Sequence, residues 1–104
     1  MKQIIAIVKP FLAERVLKAI SKFDVEEIVV REAKGFGRQK DYVDLYRNNE
    51  FSLMFVAKVE VSVFADDSVA EKVIEAMTLA SRTGRLGDGK ILVLPILEQR
   101  SEDT

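Results

Sequence analysis

The sequence predicts an α+β sandwich of the ferredoxin-like type, βαββαβ, with a four-stranded antiparallel sheet carrying both helices on one face. Three observations predict it. Strand-like and helix-like apolar patterns alternate as β-α-β, then a long polar insertion, then β-α-β again. Two right-handed halves of that kind pack around one sheet. And 104 residues make one domain, long enough to bury roughly 65% of the surface its unfolded chain exposes.

The first strand is expected over residues 2–9, where Ile4, Ile5, Ala6, Ile7 and Val8 are continuously apolar, so both of its faces require cover. Pro10 stops it. A helix over 11–23 follows from the spacing of Leu12, Val16, Leu17, Ile20 and Phe23, with Glu14, Arg15 and Lys18 between them. A second strand over 25–34 centres on Ile28-Val29-Val30. Residues 55–64 give the clearest strand: Ala57, Val59, Val61 and Val63 share one face, and Lys58, Glu60 and Ser62 the other. Asp66-Asp67-Ser68 caps a second helix, whose buried stripe is Val69, Val73, Met77 and Ala80. Ile91 to Leu94 forms the last strand, halted at Pro95.

The helices of such a sandwich cover one sheet face, yet the first and last strands are apolar on both. A symmetric homo-oligomer is the economical cover for the other face. The alternative is that two-sided apolarity marks only a central position in the sheet. The insertion, about 36–54, is polar, carries Tyr42 and Tyr46, and lacks sustained periodicity. It reads as a functional connection or as a long hairpin continuing the second and third strands; a protruding hairpin would serve both readings. Residues 98–104 form a short polar, mostly acidic tail, expected to fray.

Composition narrows the chemistry. The chain has 16 basic and 17 acidic residues, a net charge of −1, and neither cysteine nor histidine. Disulfides, thiol catalysis, imidazole acid–base chemistry and Cys/His zinc sites are excluded. The charge balance argues against general binding to nucleic acid or anionic membranes. The apolar runs fall far short of a membrane span and the N-terminus has no signal-peptide pattern, so cytoplasmic residence is the expectation.

Two glycine-basic segments stand out: Gly35-Phe36-Gly37-Arg38-Gln39-Lys40 and Thr83-Gly84-Arg85-Leu86-Gly87-Asp88-Gly89-Lys90. Glycine lets backbone amides approach a phosphate, and Arg and Lys add charge-assisted bonds. Together they suggest two walls of one anion site. Gly84-x-x-x-x-Gly89-Lys90 meets the Walker A spacing, but Ile91 stands where the Mg²⁺-binding hydroxyl belongs. This loop also follows a helix and enters a strand, the reverse of a Walker loop. Anion cradling by successive N–H groups survives that objection; a glycine-rich turn with solvated charges is the bland alternative.

With Lys9-Pro10-Phe11, Leu45-Tyr46-Arg47, Lys58-Val59 and the run Arg82 to Lys90, these segments resemble the PII signalling proteins, the nitrogen regulatory P-II family. The resemblance covers about residues 1–97, one PII-like domain, in a single register apart from a slip near Ala65. It implies a homotrimer with ATP, ADP or AMP bound in clefts between subunits, and Mg²⁺ and 2-oxoglutarate beside ATP. It also implies that the insertion is a T-loop which docks onto a transporter, enzyme or regulator. By position, Gly35, Gly37, Arg38 and Gln39 would form the T-loop base. Arg82, Gly87, Asp88, Gly89 and Lys90 would form the phosphate-facing loop, with Lys90 the principal cation. Ile7, Val63 and Phe64 would wall the adenine pocket, and Val29 stands where relatives often read the base with a threonine. Gln39 would meet Mg²⁺, and Gln39 with Lys58 would meet 2-oxoglutarate; Lys58 could instead be an outward strand residue paired with Glu60 or a neighbour.

The chain departs from that pattern at four places. Phe51 replaces the modified T-loop tyrosine, which leaves no acceptor for a nucleotidyl group there, and Asn49 removes a phosphorylatable hydroxyl. The tail keeps only Arg100 where relatives place two arginines against the nucleotide phosphates. One charge-assisted hydrogen bond fewer costs roughly 1.5–3 kcal/mol, or about tenfold in affinity. Asp41 sets a carboxylate where a dicarboxylate would have to approach. Val29 cannot hydrogen-bond adenine.

These features favour a non-enzymatic adenylate sensor acting through its T-loop in nitrogen, carbon or energy regulation. The related alternative is a sensor of ADP or AMP plus another small anion such as bicarbonate. A slow ATPase would need a water-positioning group near the terminal phosphate, and none stands out. A nucleic-acid module would need exposed aromatics on the sheet, whose strands are instead aliphatic.

Overall fold

The computed structural model describes residues 1–37, 54–84 and 89–100. Its elements run β1 (Lys2–Val8), α1 (Pro10–Ile20), β2 (Glu27–Gly37), β3 (Met54–Ala65), α2 (Asp67–Ser81) and β4 (Gly89–Pro95). The four strands form one antiparallel sheet in the order β2-β3-β1-β4, as expected of the ferredoxin-like sandwich.

Pro10 begins α1 as well as ending the strand before it, because its fixed φ suits the first helical position and its missing N–H is not needed there. The helix stops at Ile20, short of the expected 23. The Ser21 amide and hydroxyl bond the Leu17 and Lys18 carbonyls, and Phe23 turns back onto the Ile20 carbonyl while packing on the core. At α2, the Asp66 carboxylate accepts from the Ser68 amide (3.2 Å) and hydroxyl (2.7 Å). Those bonds hold its carboxyl below the usual carboxylate range, so the capping bonds are strongest above that range and fade as pH falls.

Strand parity divides the molecule. Ile4, Ala6 and Val8 of β1 pair with Val63, Val61 and Val59 of β3, and this face lies beneath the helices. Leu12, Val16 and Ile20 of α1 and Ala70, Val73, Met77 and Ala80 of α2 complete the core. Ala70 takes the deep place expected of Val69, which is half-buried at the margin. Helices centred on β1 and β3 do not reach across the edge strand β2, so Ile28 and Val30 stay 37% and 47% exposed on the helix side.

Among the described residues nothing forms a second layer on the opposite face. Ile5, Ile7, Val29, Phe64, Leu92 and Leu94 lie on it, with Leu92 and Leu94 44% and 40% exposed. Two polar pairs on this face bridge neighbouring strands. Gln3 donates from Nε2 to the Ser62 hydroxyl at 3.0 Å, and Arg31 pairs with Glu60 at 2.9 Å. The strands are longer than periodicity suggested: β2 and β3 stay paired out to Phe36–Phe55 and Gly37–Met54, so the ends of the insertion belong to the hairpin. β4 likewise takes in Gly89 and Lys90.

Gly89 sits opposite Val8 with φ +145°, and a Cβ there would run into the Ile7 carbonyl oxygen. At Gly35 a Cβ would meet the Lys58 Cγ at 3.5 Å and the Val56 carbonyl oxygen at 3.9 Å, both ordinary contacts. Gly89→Ala is therefore expected to lower the stability by about 1–3 kcal/mol for the backbone conformation alone, with the collision adding to it. Gly35→Ala should change it little. Urea unfolding of both variants against the parent chain checks the contrast.

Candidate functional site

One end of the sheet gathers the charged groups. There β1 ends at Val8, paired with Val59 of β3 on one side and with Gly89 of β4 on the other. Lys9 follows β1, Lys58 lies inside β3 beside Val59, and Lys90 follows Gly89 at the start of β4, so the antiparallel register brings three lysines from three strands together. Partial burial, then the charges of Lys9 and Lys90, push the Lys58 ammonium below its ordinary value of 10.5. Glu60 is bound by Arg31, and Lys58 makes an interaction of its own, so the alternative of an outward strand residue paired with a neighbour stands beside the ligand reading.

A cluster of like charges costs stability on its own and is relieved when an anion enters it. The close approach of β4 to β1 at Gly89, where a side chain would not fit, leaves backbone beside these cations. This arrangement fits a phosphate or carboxylate group in chemistry and charge. Among the described residues no group of three or more carboxylate ligands could hold a metal ion.

Of the other residues expected at the site, Ile7, Val29, Gly35, Phe64 and Lys90 share the open face with Lys58. Gly37 ends β2 opposite Met54. Arg82 is exposed just past α2. Val63 is a correction: its side chain points to the helices and is fully buried between Ile4 and Ile28, because it has the opposite strand parity from Phe64. Only its backbone can border a ligand on the open face. Ile7 and Phe64 also stand apart within one chain. Ile7 pairs with Glu60, four residues along β3 from Phe64, or roughly 13 Å at strand spacing; a single subunit does not use both as walls of one base pocket. Arg38, Gln39, Gly87 and Asp88, and with them Asp41, Asn49 and Phe51, lie outside the described residues.

Lys9 receives no role from the sequence, although it stands in the Lys9-Pro10-Phe11 segment. Its place at the end of the expected first strand, next to Pro10, was the available signal. Beside Pro10 lies a cleft of about 400 Å³, bordered by Glu32, Lys34, Ala57 and Val59 from the helix side of the sheet. Lys58, a member of the lysine cluster, borders this cleft as well.

The family model described as nitrogen regulatory protein P-II matches residues 1–100. A nitrogen regulatory protein P-II of Azospirillum brasilense is 48% identical over 98 residues, covering 94% of this chain and 88% of that protein. One from Rhizobium meliloti (strain 1021) is 49% identical with the same coverage. The nitrogen regulatory protein GlnK of Escherichia coli (strain K12) is 43% identical over 93 residues, 89% of this chain and 83% of that protein.

The depressed Lys58 value has a signed consequence. Its folded-state value lies below the unfolded one, so the unfolded chain binds more protons between the two, and stability rises with pH across that window. Anion binding favours the protonated ammonium and runs the other way. Calorimetric titration of pyrophosphate in buffers of differing ionisation enthalpy should show net proton uptake in this window below pH 10.5, abolished by Lys58→Met. Equal uptake by the variant would assign the proton elsewhere.

Proposed function

The chain belongs to the nitrogen regulatory protein P-II family, and from that premise we propose that it is a non-catalytic signal-transduction regulator that binds adenine nucleotides between subunits. The observation that carries this reading is the meeting of Lys9, Lys58 and Lys90 around the β1–β4 approach at Gly89. Phosphate oxygens would enter there. The adenine would lie between subunits, which also accounts for Ile7 and Phe64 standing too far apart to serve one base within a single chain. The uncovered face carrying Ile5, Leu92 and Leu94 supports a homotrimer in which three copies cover one another. Occupancy would then set the pose of the insertion, the T-loop, against a transporter, enzyme or regulator of nitrogen or related carbon and energy status.

Arg100 favours ADP or AMP over ATP. Its Nε is bound to the Glu98 carboxylate at 2.7 Å, so the tail's cation is already engaged by a neighbouring anion. The bond that would reward an outermost phosphate is thereby weakened. Whether Mg²⁺, 2-oxoglutarate or bicarbonate joins the nucleotide turns on Gln39 and Asp41 as well as Lys58.

A thermal-shift panel of AMP, ADP and ATP, each with and without Mg²⁺, 2-oxoglutarate and bicarbonate, tests the reading. A ligand that binds only the native state at a hundredfold excess over its Kd stabilises it by about 2.7 kcal/mol, a rise of many degrees for a domain of this size. ADP is expected to raise the midpoint at least as far as ATP, and native mass spectrometry to give three times the chain mass with adenylate retained. A monomer indifferent to all three nucleotides ends the proposal; ATP binding far tighter than ADP removes the preference assigned to Arg100.

A further inference from the structure

The helix layer stops short of one end of the sheet. β1 ends at Val8, opposite Val59, and α1 begins at Pro10, whereas β2 and β3 run on together from the Glu32–Val59 pair to the Gly37–Met54 pair. A step is left on the helix side, where the sandwich gives way to a two-stranded ribbon, and the cleft of about 400 Å³ lies in it. Pro10 and Val59 form the wall on the sandwich side. Ala57 contributes only a methyl to the floor, and Glu32 and Lys34 stand on the edge strand. Small-molecule sites have this size and make-up: mostly apolar, with a few polar groups that fix orientation.

Glu32 and Lys34 are alternate residues of one strand, so they share a face and lie roughly 7 Å apart along it. Among the described residues neither of them forms an ion pair. The cleft therefore offers one carboxylate and one ammonium beside an apolar wall. A phosphate or a dicarboxylate would meet repulsion from Glu32. A neutral hydrocarbon would use the wall and neither charge. A molecule with an ammonium, a carboxylate and a hydrocarbon branch on one carbon answers all three features, and that molecule is an apolar α-amino acid. The long side chains of Glu32 and Lys34 can converge on its two charged groups while the branch covers Pro10 and Val59.

We propose that this cleft binds an apolar α-amino acid as its zwitterion, with the ammonium on Glu32, the carboxylate on Lys34 and the branch against Pro10, Ala57 and Val59. The site lies on the helix side of the sheet and uses neither Lys9 nor Lys90, so it stands whether or not the chain binds nucleotide. Because β2 and β3 lead from here into the insertion, a molecule seated in the cleft contacts the strands that carry the insertion.

The test is methyl NMR of the full chain, labelled at alanine and valine and titrated with leucine, with isocaproate, which lacks the ammonium, and with isoamylamine, which lacks the carboxylate. Leucine is expected to shift the Ala57 and Val59 methyl signals saturably at millimolar concentration and to leave those of Ala70 and Val73, in the core, in place. Each truncated analogue should bind about two- to fivefold more weakly, the worth of one exposed charge pair. Glu32→Gln should weaken leucine by that factor and leave isocaproate unchanged; Lys34→Met should weaken leucine and leave isoamylamine unchanged. Ala57→Leu, which fills the floor, should abolish the Val59 shift while the core methyl signals report an intact fold. Should that variant not fold, the two charge variants, both at exposed positions, decide the matter. The absence of a saturable shift at Ala57 and Val59 overturns the proposal. So does either analogue binding as tightly as leucine, or leucine binding unchanged in Glu32→Gln and Lys34→Met.

Discussion

Helices on one side of a four-stranded sheet impose a sorting rule on every strand, and the rest of the structure depends on it. Alternate residues of β1 and β3 lie beneath α1 and α2 or on a face that no other described element covers. The covered half is dry: Ile4, Ala6, Val8, Val61 and Val63 have no exposed surface. The open half carries Ile5, Ile7, Val29, Leu92 and Leu94 among polar pairs and becomes charged toward the end where β1 gives way to Lys9. One face thus holds both an apolar area suited to covering by another copy and the cations suited to an anion.

The cations meet because of register. Three lysines far apart in the chain become neighbours once Val8 pairs with Val59 and Gly89. That pairing in turn requires glycine at position 89, where any side chain would strike the Ile7 carbonyl. The fold therefore stores a modest electrostatic penalty, visible in the depressed Lys58 ammonium, at the place where an anionic ligand would relieve it. Functional sites commonly hold such locally unfavourable arrangements because the surrounding core outweighs them.

Around that site, smaller interactions set geometry. Arg31 takes up the Glu60 carboxylate, and Arg15 joins α1 to the last carbonyls of α2. Neither arginine lies in a glycine-rich segment. For Arg15 the partners are main-chain carbonyls, which carry no signature in the amino-acid order.

Local chemistry in the sequence was enough to determine the element types and their order. Pro10, the alternation from Ala57 to Val63, and the Asp66–Ser68 cap act within a few residues of themselves, and the structure retains all three. The two glycine-basic segments likewise pointed to the strand ends that carry Gly89 and Lys90. Element ends were less legible, since Phe23 keeps helical spacing while lying in a turn, and Gly35 to Gly37 pair as a strand only because β3 is beside them. Tertiary structure alone decided that Lys9 joins Lys58 and Lys90, and that Arg15 closes α2. Each of those outcomes depends on which strand or helix lies alongside, a relation set by packing between distant segments and not by any residue's immediate neighbours.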